Sequence, residues 1–320
     1  MKKLYKLEAE KLRPEIYAKS ALVEKQLQSK EDIGCDGIEI QLLTELVDGK
    51  LGNYHYAEDV FDLDKLLQYN IKAVHAPILS NYGLSDVNIE SLCDSDDFKL
   101  LDQVCYIANK AGEIHNSQTI VVIHSESYHE HIKLIGDTWK RVINCMGCLL
   151  LKYPRIEIAI ENVTPLRDIV KGNLHLANNF YNDNVLMALE LRKQLHTDRI
   201  GTVLDTCHAE ISKRFYETLL LHYSGVMPLM DFSMDNYFNM NKDVVKLFHF
   251  SDTINSGYGD GNHGQPFSND RYDVLEIYLD LYHKYSLTAP ITLEVAEKDY
   301  LTSNGYKESY KLLSRYYEEK

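Results

Sequence analysis

The chain has 320 residues and a formal net charge of −14, with 45% apolar and 26% charged residues, the make-up of a globular protein able to bury a sizeable core. That charge argues against a generally basic, nucleic-acid-coating surface. The N-terminal "MKKLYKLEAEKLRPE" has no secretory apolar core, no apolar run approaches the roughly twenty residues of a membrane helix, and six cysteines (Cys35, Cys93, Cys105, Cys145, Cys148, Cys207) at irregular spacings suit reduced thiols, so a cytoplasmic protein is expected.

In chain order, short β-rich runs alternate with longer amphipathic stretches. "PEIYAK" (14–19) is a weak first strand and "ALVEKQLQSKEDIG" the helix after it; "DGIEIQLL" (36–43) is a clearer second strand. "IKAVHAP" follows the helical "DVFDLDKLLQYN", and "QTIVVIHSE" follows "FKLLDQVCYIANKAGEI". "RIEIAIEN", "RIGTVLDTCH", "VVKLFHFSD" and "PITLEVAE" continue the rhythm to eight strand candidates. Runs such as "TIVVI" and "EIAI" are nearly continuous β-formers, as parallel strands buried on both faces require. Helical segments separate most strands, and no Gly-rich phosphate loop follows the first, so the pattern predicts an α/β fold: one (β/α)₈ TIM barrel spanning residues 1–320. The "CMGC" at Cys145 and Cys148 has metal-ligand spacing but lies in a helical stretch with no second pair, and reads as core packing. Residues 222–241, with four methionines among aromatics, read as an insertion near the top of the barrel, either a lid or an association surface.

The polar residues fall at the ends of these strands. His75, His124, Glu161, Asp205, His249 and Glu294 close six successive candidates, and in a barrel the C-terminal strand ends converge on one mouth, where active sites of this fold lie. Imidazole and carboxylate together suit Zn²⁺, Mn²⁺, Fe²⁺ or Co²⁺, and clustered carboxylates need a cation to relieve their repulsion. His208, three residues beyond Asp205, can point back into the mouth, and "GDGNHGQPF" after the seventh strand offers Asp260 and His263 on a loop able to fold over it. Glu39 on the second strand either binds a substrate hydroxyl or is satisfied by hydrogen bonds within the barrel. Asn162 and Asp252, each near an expected ligand, are placed to orient a histidine or carboxylate.

In their order, "VHAP", "IHSE", "IAIENVTP", "VLDTCHA", "LFHFSDT", "GDGNHGQPF" and "LEV" resemble the xylose isomerase-like TIM barrels, the group that includes the endonuclease IV, or AP endonuclease family 2, fold. The resemblance implies one of two chemistries. In a sugar or sugar-phosphate isomerase or epimerase, Glu161, Asp205, His249 and Glu294 would hold one metal. Glu161 and Glu294 would then be the catalytic proton carriers, with His208 and His75 contacting substrate. In an endonuclease IV-type zinc phosphodiesterase, three ions would also draw on His75, His124, His208, Asp260 and His263. The chain departs from that pattern in the spacing of Asp260 and His263 and in Ile78, which stands where an aromatic residue is expected. The loop after the third strand is acidic without a basic residue, whereas Arg167 and Lys171 after the fifth strand can hold a substrate phosphate. The expectation is therefore a small carbohydrate or its phosphate as substrate, with nucleic acid second, no membrane partner, and a homo-oligomer compatible with the surface. A barrel that keeps its metal but only binds or assembles is a third reading.

Overall fold

The strands expected from periodicity form, each a few residues shorter than the run that announced it. In the computed structural model they are β1 (Ile16–Ser20), β2 (Gly37–Gln41), β3 (Ile71–His75), β4 (Thr119–His124), β5 (Ile156–Glu161), β8 (Ile200–Asp205), β9 (Val245–Phe250) and β10 (Ile291–Leu293), with a separate antiparallel hairpin, β6 (Leu166–Val170) and β7 (Asn173–Leu176), between β5 and β8. The structure describes residues 12–43, 45–46, 55–77, 95–125, 136–164, 166–170, 173–176, 183–223, 231–253 and 263–319, without the side chains of 95–97, 166–170, 173–176 and 218–223. The barrel strands are all parallel and close in the order β1-β10-β9-β8-β5-β4-β3-β2. This is a TIM barrel, the α/β fold expected.

Strand periodicity builds the interior in layers, because alternate side chains point to the same face. Tyr17, Ala73, Ile120, Val122, Ala159, Val203 and Leu247 meet in one apolar cluster inside the barrel. Two residues further along their strands stand Lys19, His75, His124, Glu161, Asp205 and His249. The same alternation that fills the floor therefore aims the polar residues into the space above it. Gly37 shows how tightly the floor is packed: a Cβ there would lie 2.6 Å from the Tyr17 ring. On the outer face, two apolar layers join the strands to the surrounding helices, one around Ile38, Val121 and Ile158, the other around Phe248, Phe250 and Tyr278. Each large aliphatic residue buried there contributes roughly 1.5–3 kcal/mol.

The described part of the expected insertion is core. The helix Met234–Asn241 lies on the side of the barrel, with Phe238 5.5 Å from the Phe248 ring and Asn241 accepting a hydrogen bond from Thr202 Oγ1. Its apolar face is taken up by the barrel wall, so this part covers no opening; residues 224–230 lie outside the described residues. Cys145 and Cys148 sit on the helix Gly136–Lys152, one half-buried and one exposed, with no metal-ligand group around them among the described residues. No helix among the described residues is long and apolar enough to cross a membrane.

Candidate metal centre

The expected ligands converge. Glu161, Asp205, His249 and Glu294 bring one ligand atom each to within 4.8 Å of one another; His75, His124 and Glu161 form a second such group, and Asp205, His208 and His263 a third. Glu161 belongs to two groups and Asp205 to two, so the three are linked. Asp260 and Lys171 lie outside the described residues, as does the side chain of Arg167, whose backbone runs in β6.

The atoms show how each acid is divided. Glu161 Oε2 faces His75 Nε2 at 3.0 Å and His124 Nε2 at 3.8 Å, while its Oε1 faces His249 Nδ1 at 3.2 Å and His208 Nδ1 at 3.4 Å. Asp205 Oδ1 accepts the backbone N–H of His208 at 2.6 Å, which makes Asp205 the N-cap of the helix Thr206–Tyr223. Asp205 Oδ2 remains, 3.9 Å from His249 Nδ1 and 3.7 Å from His263 Nε2. Asn162 holds this strand end in place: its side chain donates to the Asp205 carbonyl and accepts from the Asp205 N–H, at 3.0 and 2.8 Å.

A cation fits this donor set. Asp205 Oδ2 and His263 Nε2 are buried and make no hydrogen bond, although burial of such groups without a partner is costly. His75 gives a second sign. Its Nδ1 lies 2.8 Å from the Ala76 carbonyl and its Nε2 3.0 Å from Glu161 Oε2, two acceptors, while a neutral ring has one N–H to give. Burial, aided by Lys19, pushes the His75 pKa down, so the ring is disfavoured as a cation and one nitrogen is left facing an acceptor without a proton. A divalent ion held by His75, His124 and Glu161 would resolve that conflict. His208 Nδ1 likewise sits 2.8 Å from the Asn162 carbonyl, which ties an N–H to that nitrogen, so that in the neutral ring Nε2 carries the lone pair.

The centre gathers four buried carboxylates, Glu39, Glu161, Asp205 and Glu294, around its histidines. Burial alone would push the Glu161 and Glu294 carboxyls up, but the histidines around Glu161, and Lys19 with His249 beside Glu294, hold both well below the usual carboxylate range. Burial pulls His208 down, yet Asp205 and Glu161 outweigh it and push its pKa up to about 9. Without metal, the Lys19 ammonium and protons on the histidines are the available counter-charge; metal ions would displace the histidine protons.

Glu39 is fully buried beneath the centre. It accepts from Thr292 Oγ1 at 2.6 Å and from His249 Nε2 at 3.1 Å, the alternative of hydrogen bonds within the barrel, and it orients His249. Asp252 does something other than orient a ligand. Arg271 donates to both of its oxygens at 2.9 Å, and its backbone pairs with Gln265, so it ties the end of β9 to the segment carrying His263. The pull of a bidentate guanidinium explains the difference from expectation.

Lys19 escaped the sequence reading. Its ammonium is paired with Glu294 Oε1 and lies 3.7 Å from Glu39 Oε1, with the side chain 10% exposed. The available signal was a lysine inside a barrel strand, two positions after the buried Tyr17, where inward alternation continues. A cavity of about 250 Å³ opens beside these groups, lined by Lys19, Gln41, Leu43, His263, Glu294 and Tyr300 among others.

No family model matches the chain, and no curated protein matches its sequence. Solved structures do share its fold. A D-allulose 3-epimerase from Methylomonas sp. aligns with a TM-score of 0.58 at 14% identity, covering 95% of this chain and 98% of its own. The 3-keto-D-glucoside 4-epimerase YcjR from E. coli aligns with a TM-score of 0.53 at 11% identity, over 95% of this chain and 100% of its own. An AP endonuclease, family 2, from Brucella melitensis aligns with a TM-score of 0.51 at 13% identity, over 91% and 96%. The TIM-barrel fold expected from the strand-end motifs is the fold this chain has and shares with these structures; these likenesses carry the fold alone.

Proposed function

We propose that the chain is a divalent-metal enzyme that hydrolyses a phosphate ester at a carboxylate-bridged centre of more than one ion in the barrel mouth. The observation that carries this is the division of Glu161 and Asp205: each serves two ligand groups. Carboxylates shared in this way suit adjacent cations, and a single ion at the Glu161–Asp205–His249–Glu294 group would leave His75, His124, His208 and His263 without a common task. Ions so held would supply Lewis acidity toward a phosphoryl oxygen and lower the pKa of a water molecule.

The chain's own residues do the rest. Ala76 and Asn162 set which nitrogen of His75 and His208 faces the centre, and Glu39 turns His249 toward Glu161. Lys19 occupies one oxygen of Glu294, which makes that carboxylate a poor proton carrier and a better fixed ligand. The cavity beside Glu294 receives the part of the substrate that does not react, and Arg167 and Lys171 are proposed to reach its phosphate.

The isomerase or epimerase expected from the sequence is the second reading, and two observations favour it. Glu161 and Glu294 stand in one group, as two proton-moving acids must, and the chain's charge of −14 disfavours nucleic acid as the phosphate ester. Metal analysis separates the readings. Protein purified without added metal, then reconstituted, is expected to hold about two or three equivalents of zinc or manganese per chain and to cleave bis(p-nitrophenyl) phosphate. About one equivalent, with proton exchange on a sugar and no phosphodiester cleavage, would replace hydrolysis by isomerisation. An abasic oligonucleotide in the same assay tests DNA as substrate. Metal binding without either turnover would leave the chain a binding module.

A further inference from the structure

Four buried carboxylates, Glu39, Glu161, Asp205 and Glu294, crowd the upper interior, and such a cluster repels itself when no cation is present. Lys19 stands among them from β1, the strand opposite β5 and its Glu161 in the barrel order. Its ammonium takes Glu294 Oε1, leaving Oε2 toward His249 Nδ1 at 2.5 Å, and it faces the buried Glu39 Oε1, which has no hydrogen bond. Lys19 and Glu39 are neighbours in the β1–β2 register, so the lysine is held over both acids by the sheet itself. Among the described residues it is the only lysine or arginine in ion-pair contact with these acids.

We infer that Lys19 is a positioning residue that serves as the resident counter-cation of the centre: it stabilises the acidic mouth before metal binds and moderates the affinity of the metal that follows. This rests on the metal-centre reading above. Two consequences follow from its charge. Removing it leaves the metal-free protein with one more uncompensated carboxylate, and it removes a cation that repels an incoming dication a few ångströms away. The Lys19→Met protein is therefore less stable without metal and binds metal more tightly. A lysine that merely braced the fold would give the opposite second result, because a looser site binds metal less well.

The test titrates Co²⁺ into chelator-treated wild type, Lys19→Met, Lys19→Arg and the double variant Lys19→Met/Glu39→Gln. Binding is followed by calorimetry and visible absorption, and Tm is measured with and without Co²⁺. Expected results are Co²⁺ affinity at least about tenfold tighter in Lys19→Met, a larger metal-induced rise in Tm, and near-wild-type behaviour in Lys19→Arg, which keeps the charge. The double variant removes one positive and one negative charge together and is expected within about tenfold of wild type. If Lys19→Met does not fold, the double variant decides, since its net charge is that of wild type. Unchanged or weaker Co²⁺ binding in Lys19→Met, or a double variant more than about tenfold from wild type, overturns the role of Lys19. A wild type that binds no Co²⁺ overturns the metal centre itself, and the role of Lys19 with it.

Discussion

The floor and the mouth of this barrel are built by the same strands, two residues apart, and obey opposite rules. At the floor, Tyr17, Val122, Val203 and Leu247 fill the interior with apolar atoms, and the Tyr17 hydroxyl donates to Glu15. At the mouth, Lys19, His124, Asp205 and His249 occupy the next inward positions, and buried oxygens and nitrogens stand without hydrogen bonds. Close packing makes the floor the source of stability. Buried polar atoms without partners at the mouth cost stability, the cost a bound cation would offset.

Substitutions can break or sharpen that contrast. The largest effect is expected from Glu161→Gln, which removes the acid shared by two groups: metal binding should fall beyond the roughly 10–100-fold that loss of an outer-shell partner causes, with hydrolysis lost alongside, while Tm of the metal-free protein holds or rises. Metal equivalents by mass spectrometry and a thermal melt check this; a full metal complement would refute the bridging role. Leu247→Ala makes the reciprocal cut at the floor. It should lower stability by about 2–5 kcal/mol in a denaturant titration with metal stoichiometry unchanged, since it opens a cavity below the centre without touching a ligand.

Glu39→Gln sits between the two regions. Its amide oxygen can still accept from His249 and Thr292 but brings no charge, so metal affinity should drop about 10–100-fold, read by competition with a chelator of known affinity. The smallest effect is a difference between two variants at one position. Asp205→Asn and Asp205→Ala should both weaken metal binding, but Asn retains the helix cap and Ala does not, so Ala should be less stable by about 1 kcal/mol. Equal melting curves would mean that Oδ1 caps nothing.

Much of the candidate site was legible because barrel geometry converts strand ends into a single place. His75, His124, Glu161, Asp205, His249 and Glu294 could be picked from six short motifs, since each needed only its own strand to be placed. The two oxygens of Asp205 divide the work in a way only the structure shows: Oδ1 caps the helix Thr206–Tyr223 and Oδ2 faces the centre. Lys19 was missed because "IYAK" reads as a weak strand start, and its meaning comes from Glu294, which is 275 residues away in sequence. Asp252 was misplaced for the same reason. It adjoins an expected ligand along the chain, but its side chain answers to Arg271, which packs beside it only after the loop has folded.

The sequence by itself determined the alternation that fills the interior and the types of ligand at each strand end, because both depend on a period of two and on residue chemistry within a few positions. Tertiary structure alone decided how the candidate ligands are shared. Which oxygen of Glu161 faces His75 and which faces His249, where Lys19 lays its charge, and which nitrogen of His208 is tied to Asn162 all follow from the register between strands. That register is set by packing around the whole barrel, and no single strand contains it.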